Sequence, residues 1–152
     1  TVIGNGGADA SSDSKITGVD LASANYVIEA ENYEDGSTAL QQGNANNIVF
    51  VHNWCEADAQ AKWSVYVPEA GNYRLHFKIA ADSDISGVSA SCTLDGKTQN
   101  AELSIQKTKN MNEYQNCDMD VVLEKGSYTV QLDAKAGSGD FRLDCIGFEY
   151  LD

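Results

Sequence analysis

The sequence predicts an all-β domain, a β-sandwich jelly roll of about nine antiparallel strands, and three observations carry that prediction. Short segments alternate between apolar and polar residues, as in WSVYV, where Trp63, Val65 and Val67 share one side, and YRLHFKI, where Tyr73, Leu75, Phe77 and Ile79 do. The breaks PEAGN, ADSDISG, LDGK, EKG and AGSGD carry the Gly, Asp, Asn and Ser that tight turns need. No segment has the 3.6-residue period of an amphipathic helix of ~12 residues, which excludes a core of βαβ units.

In chain order the predicted strands are YVIEAENY (26–33), NIVFVHN (47–53), AKWSVYVPE (61–69), NYRLHFKIAA (72–81), GVSASCTLDG (87–96), QNAELSIQ (99–106), YQNCDMDVVLE (114–124), SYTVQLDA (127–134) and FRLDCIGFEY (141–150). Residues 1–24, rich in Gly, Ser, Ala and Asp and without aromatics, read as a flexible linker to a domain spanning 25–152. Thr1 opens a polar stretch with no basic and apolar leader, so the chain reads as a mature piece of something longer.

The 152 residues suffice for one domain with a real core. Ten Lys and Arg against 23 Asp and Glu give a net charge of −13, which repels phosphate backbones and anionic lipid. Nucleic acid and membrane are therefore not expected partners. Cys55, Cys92, Cys117 and Cys145 form no CxxC pair and do not suggest zinc; their even number permits two disulfides without fixing a connectivity.

Catalytic signatures are absent: there is no GxSxG, HExxH, GxGxxG or P-loop. His76 falls on the side of its strand opposite Leu75 and Phe77 and reads as a sheet-surface residue. Glu29 and Glu31 draw more attention. On one strand, residues i and i+2 share a face, which puts these carboxylates roughly 6 to 7 Å apart. They belong either to a solvated face or, given Val27, Ile28 and Ala30 around them, to a partly covered one that needs a cation. Calcium takes six to eight oxygens, and Asp144, lodged among Leu143, Cys145 and Ile146, is the third carboxylate in the same need of a partner. First and last strands lying side by side would bring the three together.

The ordered series IEAENY, AKWSVYVPEAGNYRLHFKIAA, LEKGSYTVQL and FRLDCIGF resembles the carbohydrate-binding modules of families 6 and 35, over about residues 26–150. The resemblance implies a non-catalytic, secreted or cell-surface-attached monomeric module, linked in the same chain to a polysaccharide-degrading catalytic domain. It also implies a structural calcium held by Glu29, Glu31 and Asp144. The family 6 sugar site maps onto Phe50, Met111 and Arg142, where Met111 stands for a commonly found Trp and Arg142 for an Asn. The loop HNWCEADAQ adds Trp54, with Asn53 and His52, as a replacement platform in which an aromatic face packs on sugar C–H groups. Tyr114 is either part of that site or a cover for the sheet edge. Trp63 belongs to the core. The alternative function for the same sandwich is cell-surface adhesion through protein contacts.

Overall fold

The computed structural model describes residues 26–56, 59–135 and 139–151. The expected linker, 1–24, lies outside them. Among the described residues eleven strands form two antiparallel sheets: β1 (Tyr26–Glu29), β2 (Asp35–Gly36), β3 (Gln41–Ala45), β4 (Ile48–His52), β5 (Gln60–Val67), β6 (Gly71–Ala81), β7 (Ile85–Leu94), β8 (Lys97–Ile105), β9 (Gln115–Leu123), β10 (Gly126–Ala134) and β11 (Phe141–Tyr150). One sheet runs β3-β4-β11-β6-β9 with β1 added to β11; the other runs β2-β5-β10-β7-β8. All nine predicted strands are present, and two short ones, β2 and β3, join them.

Alternation works as expected. Trp63, Val65 and Val67 of β5 and Tyr73, Leu75, Phe77 and Ile79 of β6 point into the shared core from opposite sheets, beside the inward residues of β10 in the first and of β9 and β11 in the second. Trp63 fills the interior and donates its indole N–H to the Ala30 carbonyl at 3.0 Å, so its polar atom is not stranded. The β3–β4 hairpin turns on Asn46 and Asn47, at φ 54° and 63°, and β7–β8 turns on Asp95 and Gly96, at 51° and 77°. Both are two-residue turns with positive φ at each position, the geometry whose twist matches the flanking strands.

Two irregularities interrupt the sheet that carries β1 and β11. β1 stops at Glu29, and Ala30–Asn32 form a single 3₁₀ turn. Glu29 and Glu31 therefore do not share a strand face: the strand is shorter than the pattern suggests. On β11 the register against β6 shifts between Leu143 and Cys145, so Asp144 is the extra residue of a β-bulge. The bulge lets Leu143 and Ile146 both face the core while Asp144 leaves the pleat.

Along β11, β6 holds one edge, and the other is shared. β1 pairs with residues 145–148 and β4 takes over at Leu143. The Asp144 bulge sits where the two meet, and first and last strands do lie side by side.

Candidate functional site

The end of β4, the start of β11 and the loop between β8 and β9 come together at one end of the sandwich. Val51 of β4 points into the core, so its neighbours Phe50 and His52 stand on the outer face, ring centroids 5.5 Å apart. Arg142 stands on the outer face of β11, its Cζ 4.3 Å from the centre of the Phe50 ring. Its Nη1 donates to the Met111 carbonyl at 3.0 Å and to Asn112 Oδ1 at 3.1 Å, and the Tyr114 phenol lies close enough to feel its charge. Burial, and then the charge of Asp144, push the Tyr114 phenol above its ordinary range. The loop bearing Met111 is anchored by Thr108, a buried polar residue whose N–H donates to the Ala81 carbonyl at 2.9 Å and whose hydroxyl accepts from the Ala81 N–H at 3.1 Å.

Five of the seven sugar-site candidates, Phe50, His52, Met111, Tyr114 and Arg142, thus form one cluster. Trp54 does not belong to it. Its side chain is 0% exposed, stacked on Phe141 at 5.2 Å with an interplanar angle of 6°, and its indole donates to the Val51 carbonyl. A ring with both faces inside the protein offers no platform, so Trp54 is a loop anchor. Asn53 serves the same corner: at φ 75° it donates its amide to the Ala39 carbonyl at 2.8 Å.

The sequence reading missed Asp140. Its Oδ1 accepts from the N–H groups of Asn53 (2.8 Å), Trp54 (2.8 Å) and Phe141 (2.9 Å), fastening the loop after β4 to the start of β11. Its Oδ2 stands 3.8 Å from His52 Nδ1. The only signal was an Asp ending the turn-like string AGSGD, which is what any turn looks like. Asn112 was also missed.

The acid corner lies beside this cluster. Burial raises the pKa of Glu31 above the ordinary carboxylate range against the pull of a backbone N–H, and the charge of Asp144 adds to the rise. Asp144 is likewise raised by burial, with Lys78 and a hydrogen bond from the Cys145 thiol pulling the other way. Glu31 Oε1 is buried without a hydrogen-bond partner. Desolvated carboxylates with an orphaned oxygen have the donor chemistry of a hard-cation site. Even so, among the described residues no three His, Cys, Asp or Glu side chains are assembled into a metal cage. Cys145, at the same place, is a buried thiol whose pKa burial and the neighbouring acids raise, which keeps it protonated. All four cysteines are free; burial pushes Cys92 up to about 12 and Cys117 up to about 11.

His76 is on the outer face as expected. Its Nδ1 lies 2.6 Å from Asp118 and its Nε2 2.8 Å from Glu149, beside an Arg74–Asp120 pair at 2.8 Å.

No protein-family model and no curated protein sequence matches the chain. Solved structures do. The C-terminal family 6 module of a laminarinase from Zobellia galactanivorans superposes at TM-score 0.67 with 20% identity, covering 83% of this chain and 99% of that one. A family 35 module from Clostridium thermocellum gives 0.68 at 16% identity, covering 84% and 99%. A Paenibacillus cycloisomaltooligosaccharide glucanotransferase gives 0.65 at 24% identity over 80% of this chain, which spans only 18% of that enzyme. The chain has the fold of the family 6 and family 35 carbohydrate-binding modules.

Proposed function

We propose that this domain is a non-catalytic carbohydrate-binding module that takes plant cell-wall or related polysaccharide at the Phe50, His52, Met111, Tyr114 and Arg142 cluster. One observation carries the reading. On a fold shared with modules such as the Cellvibrio mixtus domain solved with cellotriose, this chain gathers an aromatic ring, a phenol, an imidazole and a guanidinium at one end. With the Phe50 ring covered by Arg142, such a set suits a hydroxyl-rich ligand that hydrogen-bonds to the imidazole, the phenol and the guanidinium. An attached glycan-degrading domain, held near its substrate, and an extracellular setting belong to the same proposal.

Calcium is the second half of the reading. Glu31 and Asp144, with Glu29 at the end of β1, would hold the ion, which would neutralise buried carboxylates and tie β1 to β11. The orphaned Glu31 Oε1 supports this.

Affinity electrophoresis through a panel of soluble polysaccharides tests the sugar site. At least one polysaccharide should retard the protein, and Tyr114→Ala or His52→Ala should weaken the retardation with little change in melting temperature. Free migration across the whole panel would remove the glycan reading and leave protein adhesion as the use of the sandwich.

A further inference from the structure

The Phe50 ring is on an outer sheet face, yet it is 5% exposed. Two neighbours cover it. From the β3 side it lies on Gly43, its register partner, where a Cβ would stand 2.6 Å from two ring carbons; only glycine leaves room for the ring. From the β11 side it carries the Arg142 guanidinium at 4.3 Å. That guanidinium is held in place by the Met111 carbonyl and by Asn112 Oδ1.

A flat cation resting on an aromatic face occupies the place that a stacked sugar ring would take. Reaching Phe50 would require breaking two charge-assisted hydrogen bonds as well as the cation–π contact. Resting on the glycan-binding function, we propose that Arg142 is the specificity-determining residue of this site. It closes the Phe50 face to flat stacking of neutral pyranose rings, and it admits ligands that instead hydrogen-bond to a fixed guanidinium and to the His52 and Tyr114 rims.

Isothermal calorimetry with cellotetraose, a neutral glucan oligosaccharide, tests the closure. Arg142→Ala should bind it about tenfold more tightly than wild type, equivalent to ~1.4 kcal/mol. Adding Phe50→Ala to that variant should abolish the gain, because the newly opened face would be gone. Asn112→Ala, which removes one support from an exposed position, should move affinity the same way by a smaller factor, and it covers the case in which Arg142→Ala folds poorly. In the ligand-free wild type, the Arg142 Nε–H resonance should show a guanidinium fixed on the nanosecond timescale.

The proposal is overturned if neither Arg142→Ala nor Asn112→Ala binds cellotetraose more tightly than wild type, or if the guanidinium is freely mobile. Should wild type still be retarded by a polysaccharide in that event, the glycan reading stands and only the closure fails. Free migration on every polysaccharide fails the glycan reading by a separate measurement.

Discussion

Asp140 and Asp144 stand four residues apart on the same stretch of chain, and their surroundings differ in kind. Asp140 receives three backbone N–H groups on one oxygen and faces His52 with the other. Asp144, pushed out at a bulge beside Glu31, has only the Lys78 charge and the Cys145 thiol to offset its burial, and burial raises both acids. A carboxylate that collects N–H donors can be stable as an anion inside a protein with no further help. One that is buried without such a set of donors is not. The first acid therefore organises a loop, whereas the second leaves a need that a cation would meet.

The largest effect should come from the satisfied acid. Asp140→Ala strands the N–H groups of Asn53, Trp54 and Phe141, two of them next to a stacked and buried Trp54–Phe141 pair. Each unsatisfied buried donor costs about 1–3 kcal/mol, so a total on the order of 3 kcal/mol and a melting temperature about 10 °C lower are expected. Asp140→Asn keeps an acceptor oxygen and should recover more than half of the loss. Thermal unfolding of the two variants side by side checks this; equal melting temperatures would mean the three hydrogen bonds do not hold the loop.

These two acids also mark how far the sequence could be read. Strands that face a core on one side announce themselves through period-2 burial, which is why β5 and β6 were visible residue by residue. β3, QQGNA, lies at a sheet edge and is held to β4 by backbone pairing, with no alternation to betray it. Its one available sign was Asn46–Asn47, a pair that tolerates positive φ. Arg142, Phe50 and Met111 came from a family resemblance, and their contact depended on strand order that no local pattern encodes. Trp54 in a polar loop looked exposed because its partners, Phe141 and Asp140, are more than eighty residues away. Glu29 and Glu31 stand out in the sequence for a shared strand face that the fold does not provide, since β1 ends between them. The burial argument about Glu31 and Asp144 survives that error.

Calcium should give the next largest effect. If it occupies the acid corner, calcium at a hundred times its Kd adds about 2.7 kcal/mol of stability, and chelation removes it. Differential scanning fluorimetry in calcium and in chelator measures the difference; identical curves from a metal-free sample would sink the calcium assignment. Glu31→Gln sharpens the test by splitting the sign. Because the folded-state pKa of Glu31 is raised, its favourable contribution in metal-free protein is complete below the ordinary carboxylate pKa and is lost as pH rises through the folded value. At pH 7 without metal, Glu31→Gln should therefore melt higher than wild type, and with calcium present it should lose most of the metal-induced rise.

The smallest effect belongs to the outer face of the same sheet, where the acids have cationic partners. The Arg74 guanidinium bonded to Asp120 holds that carboxyl below its usual range. Its sign is the reverse of Glu31: the stability it contributes is present above the ordinary carboxylate pKa and is lost as pH falls through the lowered value. Both groups are open to solvent, so the pair is screened, and Asp120→Asn should shift the melting temperature by no more than about 2 °C. That small difference should shrink further in molar salt and disappear on acidification. Glu31→Gln and Asp120→Asn melted across one pH series without metal then form a matched pair: towards low pH both differences from wild type vanish, but at neutral pH they should have opposite signs. If both substitutions lowered the melting temperature at pH 7, the partners of Glu31 in the metal-free fold would have to outweigh its burial, and the contrast between acids whose partners offset burial and acids whose partners do not would not hold.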